Sequence, residues 1–437
     1  MSPTFIGVTG IVIMLAIFMT RMPVAYVMTM VGFIGFSSLI SLKAGLVLLP
    51  RIFYDSFSAY ELTTIPLFVL MGQLAFNGGI SRKLYNTAYT FLGNVKGGLA
   101  MTTVATCTAF GAVCGSSPAT AATMATVGMP EMRRFGYADS LSAGSVASGG
   151  GLGMIMPPSV VLIIYGILTE QSIGALFVSG IFPAFLMTFL FIICVYITCK
   201  IDPSQGPRGE KFTWAQKIKS LAGLADTMIV FALVMSGLFY GFFTPTESAA
   251  IGVLGVLIVS VIRRQLTWKA FVKSLYETLQ TSCMILFLIA GAVVFGKFLA
   301  VTRIPFEIAT WVSGFDMPAV FIIGIIITIY FIGGCFMDSL GLIMLTIPIF
   351  FPIVTNLGYD PIWFGVIIVL VTEMGVITPP VGINVYVVYG VSQSVVGDIS
   401  LESIFKGIFP FLMATVVGII LMMIFPKIIL FLPNLMY

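Results

Sequence analysis

The chain has 437 residues, of which 59% are hydrophobic and only 9% charged, whereas a soluble domain carries about 25% charged and about 45–50% apolar residues. Its net charge of +4, from 21 basic and 17 acidic residues, is too small and too scattered for a nucleic-acid partner. The absence of histidine excludes His-based zinc sites, Ser-His-Asp triads and imidazole proton relays, and cytosolic enzymes and disordered scaffolds are excluded by composition.

A helix needs about 20 apolar residues to cross the hydrocarbon core. Ten stretches qualify as spans: 3–20, 23–40, 62–77, 138–166, 173–199, 222–241, 245–262, 279–298, 361–390 and 404–432. The first, beginning MSPTFIG, has no basic n-region and is not read as a signal peptide. Two further apolar regions, 98–130 and 317–356, are interrupted by small and polar residues. Each is too long for one span and short for two, so each is expected to be a re-entrant hairpin. The amphipathic stretches 44–60, 78–97, 264–278 and 299–316 flank the third span of each half and are expected to lie in the interface, bracing a frame. The longest polar stretch, 201–221, reads as a cytoplasmic linker between a first half (1–200) and a second (222–437).

With the N-terminus outside, this layout places sixteen of the 21 basic residues in the cytoplasm, among them Arg21, Arg133 and Arg134. Only Lys43, Arg51, Lys297, Arg303 and Lys427 are left outside. Both termini are then periplasmic. Arg133 and Arg134 are read as topology anchors. The six cysteines all sit in apolar stretches without a CxxC pair, which indicates neither a disulfide framework nor a zinc ribbon. The 25 methionines suit adaptable packing.

The halves repeat. Gly153–Pro158 (GMIMPP) matches Gly375–Pro380 (GVITPP) at an offset of 222, as do Pro130, Gly136 and Tyr137 with Pro352, Gly358 and Tyr359, and Gly111 and Ser117 with Gly333 and Ser339. Leu67–Gly72 matches Leu286–Gly291 at 219. Each repeat holds five spans and one hairpin. Five is odd, so the repeats are expected to lie inverted in the membrane, the pattern of secondary transporters.

Four interruptions carry the candidate chemistry. Two are hairpin tips, Cys114–Thr120 and Gly333–Ser339, and two are mid-span breaks, Gly149–Ser159 and Gly375–Asn384. Proline removes a backbone donor and glycine loosens the chain, and the carbonyls they release are tolerated in a membrane only within protein or against a cavity. Such carbonyls with Ser and Thr hydroxyls suit a hard cation, while helix N-termini at the tips suit a carboxylate. Asp338 is an intramembrane acid at the second tip, read as a sodium ligand or a helix cap. Glu373 and Glu247 are each open to a cation or proton role or to a structural contact.

Five segments resemble the large membrane subunit of tripartite ATP-independent periplasmic (TRAP) transporters: CGSSPATAATMATVGMPEMRRFGY (from Cys114), GMIMPPSVVLIIYG (from Gly153), FTPTESAAIG (from Phe243), GGCFMDSLGLIMLTIPIFFPI (from Gly333) and ITPPVGINVYVV (from Ile377). The resemblance covers essentially the whole chain. It implies an elevator-type ion transporter in the bacterial inner membrane that couples sodium entry to uptake of a carboxylate-bearing solute, with no organic cofactor. It implies two partners besides the lipid bilayer and a small organic-acid substrate: a periplasmic solute-binding protein and a separate small four-helix membrane subunit. By resemblance, one sodium site falls on Ser116, Ser117 and the Gly149–Gly153 carbonyls, and the other on Gly334, Asp338, Ser339 and Thr378. The substrate falls near Ser117, Thr120, Ser159 and Asn384. C4-dicarboxylates, sialic acid, other sugar acids and amino-acid derivatives all belong to the substrate range it implies. An intramembrane protease is excluded by the missing histidine and by the lack of paired aspartates in span centres. A stand-alone sodium–dicarboxylate symporter without a binding protein is the remaining alternative.

Overall fold

A computed structural model describes residues 2–18, 22–304, 307, 318–397 and 399–436. Arg21, most of the amphipathic stretch 299–316 and the first residue of the 317–356 hairpin lie outside the described residues. Every regular element among those described is helical, and the one β-bridge joins Lys96 to Arg208.

Six helices are long and apolar enough to cross a membrane: Ile173–Ile201, Trp214–Phe239, Pro245–Ile262, Trp268–Thr302, Ser339–Asn356 and Leu401–Ile424. Two bent pairs raise the number to eight. Ten spans were expected from apolar runs, and helix length alone does not deliver them. Pro3–Phe18 and Val24–Leu39 have 16 residues each, about 24 Å at ~1.5 Å per residue, short of a ~30 Å hydrocarbon core. Apolarity is continuous through a break where the helix is not, so a run of sequence overstates a run of helix.

The two interruptions of span-plus-amphipathic pairs differ between halves. Leu42–Ser58 ends at Ala59, and the chain turns 55° into Tyr60–Asn77. Its expected counterpart at 264–278 is not a separate element. Trp268–Thr302 runs as one 35-residue helix, capped by the Thr267 hydroxyl accepting from Ala270 N–H. No glycine or proline interrupts it before Gly291, so nothing stops the helix where its surface turns from polar to apolar.

Helices Val24–Leu39, Thr64–Asn77, Pro245–Ile262 and Trp268–Thr302 pack on one another as a frame. Small residues let the backbones close up: a Cβ on Gly32 would meet Phe295 Cα at 2.8 Å, and one on Gly291 would meet the Ala25 carbonyl at 2.6 Å. Glu247 belongs to this frame as a cap. It accepts from Thr244 N–H at 2.8 Å while the Thr244 hydroxyl accepts from Glu247 N–H at 3.3 Å, the reciprocal capping box that the TPTE sequence encodes. That settles its structural reading.

The other group contains both hairpins and both broken helices. The first hairpin is Gly98–Cys114 and Ser117–Arg134, four residues longer than expected, and the second is Ala319–Gly334 and Ser339–Asn356. Arg133 and Arg134 occupy the last turn of the first hairpin, where positive charge complements the helix dipole. The first broken helix is Asp139–Ile155 followed by Val160–Thr169, bent by 41°, and the second is Pro361–Ile377 followed by Ile383–Val395. Each starting half packs on the hairpin of its own half of the chain. Each second half packs on the hairpin of the other: Val160–Thr169 on Ser339–Asn356, and Ile383–Val395 on Ser117–Arg134.

The polar 201–221 stretch is not a free linker. Gly97 N–H donates to the Gly206 carbonyl at 2.9 Å, Gly209 N–H to Gly93, and Ala138 N–H to Gln205, so residues 205–209 are laced to the base of the first hairpin. Tyr137 Oη adds a bond to the Pro207 carbonyl while accepting from Leu99 N–H. At the start of this strap the Asp202 carboxylate is held below the usual carboxylate range by donors from Ser204 and Gln205.

Candidate functional site

At the first tip the chain leaves Cys114 through Gly115, whose φ of +62° and whose position, where an added Cβ would collide with the Pro158 carbonyl oxygen, both require glycine. Ser116 follows in extended conformation as the N-cap of Ser117–Arg134, and its side chain makes no capping bond. Its hydroxyl is thus free of the duty an N-cap serine usually has. The tip therefore rests on the first break, through Gly115 against Pro158, and on the frame, where a Cβ on Gly72 would meet the Cys114 carbonyl at 2.9 Å.

The first break is narrower than Gly149–Ser159. The helix continues to Ile155, Met156 N–H still reaches the Leu152 carbonyl, and only Met156–Ser159 leave the helix. Gly149 therefore lies well inside the helical ladder. The Gly149–Gly153 run serves approach: added Cβ atoms would meet Cys107 Sγ at 3.0 Å from Gly149, Ala121 Cβ at 2.6 Å from Gly150 and Thr120 Oγ1 at 2.3 Å from Gly153. The carbonyls that lose partners are those of the last turn, from Gly153 on, because Pro157 and Pro158 have no N–H to give.

The second tip and break meet in a similar way. Gly334 and Gly375 touch backbone to backbone, since a Cβ on Gly375 would meet Gly334 Cα at 2.6 Å. Gly111 and Gly153 make the equivalent contact in the first half, also at 2.6 Å. Val381 N–H donates to the Cys335 carbonyl at 3.3 Å, and the Thr378 hydroxyl donates to the Met374 carbonyl at 2.6 Å. Asp338 caps Ser339–Asn356, its Oδ2 accepting from Leu340 N–H at 3.1 Å. Ser339 Oγ is buried and has no partner among the described residues.

A cavity of about 400 Å³ opens between the two groups of helices. Both tips line it, the first through Ser116, Ser117 and Pro118, the second through Asp338, Ser339 and Leu340. Met154, Val160 and Val161 contribute from the first broken helix. The frame closes the far wall with Val69, Gly72, Gln73, Phe76, Glu277 and Thr281. Two helix N-termini, at Ser117 and Ser339, and two acidic residues, Asp338 and Glu277, thus line one partly open cavity. It offers hydroxyl and carboxylate oxygens to a cation and helix N–H dipoles to an anion.

Of the sequence-predicted residues, Ser116, Ser117, Asp338 and Ser339 reach this cavity, whereas Gly149 and Gly153 lie within the helix Asp139–Ile155, Gly334 ends the helix Ala319–Gly334 and Thr378 caps the helix Pro361–Ile377, none of them in its lining. Thr120, Ser159 and Asn384 are completely buried and do not line it. Ser159 instead caps Val160–Thr169, accepting from Leu162 N–H. Glu373 is also buried, its carboxylate filling the space a side chain on Gly151 would take. Sequence reading passed over Gln73 and Glu277. Gln73 was legible as the one amide in the apolar run LFVLMGQLAF. Glu277 was obscured by its assignment to an interfacial segment. It is held there by Lys273 at 3.6 Å and by Asn77 Nδ2, which donates to it at 3.4 Å.

The arrangement has known relatives. Residues 11–428 match the family described as "Tripartite ATP-independent periplasmic transporter, DctM component". The chain belongs to this family. It is 34% identical to the C4-dicarboxylate TRAP transporter large permease protein DctM of Pseudomonas aeruginosa, over 87% of this chain and 88% of that one. It is 32% identical to the sialic acid TRAP transporter large permease protein SiaM of Vibrio cholerae, over 86% and 87%. Among solved structures it is similar to the YdaH transporter of Alcanivorax borkumensis, with a TM-score of 0.66 at 13% identity over 88% of this chain and 90% of that one, a likeness of fold. A DctM component is a transporter permease rather than an enzyme, and this one is a multi-pass membrane protein with a secondary-transport role.

Proposed function

We propose that this DctM component is the large subunit of a sodium-coupled importer for a carboxylate-bearing solute, working by an elevator movement of the hairpin group against the frame. The observation that carries this reading is the single cavity shared by both hairpin tips and the frame. Sodium ions sit at the tips. Ser116, Ser117 and the released carbonyls from Gly153 on supply one set of oxygens, and Asp338, Ser339 and the backbone at Gly334 and Thr378 supply the other. The solute carboxylate lies between them, against the N-terminus at Ser117. The two halves act as inverted repeats, which the 222-residue offset of both breaks supports. A periplasmic solute-binding protein delivers the solute and a small membrane subunit braces the frame. Relatives named as TRAP large permeases, and an isethionate TRAP permease DctMQ of Oleidesulfovibrio alaskensis, of which the aligned region spans 55%, support the presence of such partners. Relatives are named for C4-dicarboxylate, sialic acid and ectoine, which carry carboxylates, and for isethionate, whose sulfonate is another anionic group that a helix N-terminus suits.

Uptake into proteoliposomes carrying the assembled transporter should therefore require sodium and, where more sodium charge than solute charge enters, a negative-inside potential worth ~2.3 kcal/mol per charge per 100 mV. Undiminished uptake in sodium-free buffer would refute the coupling. Uptake at full rate without a binding protein would instead support the stand-alone symporter.

The inner-membrane orientation has its own test. With both termini periplasmic, cysteines placed at Ser204 or Gln205 should be labelled by an impermeant thiol reagent only from the cytoplasmic side. Labelling from the periplasm would invert the topology.

A further inference from the structure

Asn384 sits at the second break, completely buried, yet its amide reaches the first half of the chain. Its Nδ2 donates to Ser117 Oγ at 2.7 Å, across 267 residues of sequence, and to the Ala147 carbonyl at 3.2 Å. A carbonyl only accepts, so the Ala147 contact fixes which end of the amide is nitrogen. Ser117 lines the cavity, and Asn384 stands directly behind it.

The matching positions in the other half lack this link. At the 222-residue offset Asn384 corresponds to Leu162, a buried hydrocarbon, and Ser117 corresponds to Ser339, whose buried Oγ has no partner among the described residues. One tip hydroxyl is held from the opposite half of the chain, and the other is not.

We propose that Asn384 is a positioning residue that couples the second break to the first tip by holding Ser117 Oγ. A serine oxygen has two lone pairs. Asn384 occupies one and turns the hydroxyl so that the other is presented to a cation in the cavity. Because the donor is carried by the second broken helix, a shift of that break on filling the second tip alters the first tip directly. This inference rests on the sodium reading of the first tip given above.

A double-mutant cycle on sodium binding tests it. The full chain, purified with its small subunit, is titrated with sodium by thermal shift in four forms: parent, Asn384→Leu, Ser117→Ala and the double variant. Asn384→Leu places the Leu162 side chain at the matching position. Each single variant should raise the sodium half-saturation about three- to tenfold, and the double variant should be no worse than Ser117→Ala alone, with the sodium-free melting temperature of Asn384→Leu close to that of the parent. Multiplying effects in the double variant would show that Asn384 does not act through Ser117 and would overturn the proposal. If Asn384→Leu fails to insert, Asn384→Ala enters the same cycle, and failure of both assigns Asn384 to folding and equally overturns it. A parent protein with no sodium response would sink the sodium reading itself, an outcome distinct from a normal response with independent effects.

Discussion

Gly375→Val should abolish transport and most of the folded yield, whereas Gly324→Ala should pass almost unnoticed. A Cβ on Gly375 would meet Gly334 Cα and carbonyl carbon at 2.6 Å each and Cys335 N at 2.9 Å. These are backbone atoms of the second hairpin at its tip, so no rotamer change relieves the overlap, and valine adds two methyls beyond its Cβ. Overpacking a core costs ~1–3 kcal/mol where side chains can move. Here a helix end must move, and the expected cost lies at or above the top of that range. The displaced backbone is also the one that brings Cys335 against Val381 and Asp338 and Ser339 to the cavity. Gly324 lies mid-helix in the same hairpin with nothing within 4 Å of an added Cβ, and alanine is the better helix former. Yield after size exclusion and solute uptake, measured side by side, check the pair. A monodisperse, transporting Gly375→Val protein would mean that the two breaks do not need this close approach.

The fold was legible where a residue type has one structural use. The Pro-Pro pairs and the glycine at the first tip appear where the sequence placed a break and a turn, whereas the role of Glu247 was open between cation and structural contact, and the capping box at Thr244 decides it. Both interrupted apolar runs were legible as paired helices, because the small and polar residues at Cys114–Thr120 and Gly333–Ser339 break a helix that their flanks sustain. Helix continuity was not. Pattern distinguishes an amphipathic stretch from an apolar one, but says nothing of a junction, so Trp268–Thr302 was divided and Ala59 was not singled out as a corner. The glycine run before the first break was misread for the same kind of reason. Glycine releases carbonyls in a loop but draws helices together in a membrane, and Gly149–Gly151 do the second, while carbonyl release begins only at Gly153. At the site, the tip residues were found from their motifs. The frame residues Gln73 and Glu277 belong to the far wall, and only the assembled helices bring that wall to the tips. Asn384 was placed beside the solute by resemblance, but the helix it opens packs on the first hairpin and leaves the amide buried behind Ser117 rather than in the cavity lining.

Asp338→Asn should raise the sodium half-saturation about tenfold, equivalent to ~1.4 kcal/mol, without lowering the melting temperature measured in sodium-free buffer. Two roles coincide at this side chain. Its Oδ2 caps the helix Ser339–Asn356 by accepting from Leu340 N–H, and the same carboxylate lines the cavity shared by both tips. Asparagine caps a helix about as well as aspartate, keeps the shape and one oxygen, and removes the charge, so it separates the roles. The negative charge is the part that matters to a cation stripped of water in a low-dielectric space, where an uncompensated ion is costly. Asp338→Ala removes cap and charge together and should add about 1 kcal/mol of lost stability to the same sodium defect. Ser116→Ala at the first tip should cost less sodium affinity than either, since the hydroxyl is a neutral donor oxygen, and nothing in stability, because Ser116 makes no capping bond to lose. Sodium titrations of transport and sodium-free melting curves on the three variants give a two-coordinate reading of each. If Asp338→Asn keeps the parent half-saturation while Asp338→Ala only melts earlier, the carboxylate is a cap and the second sodium ion is held by Ser339 and backbone carbonyls alone.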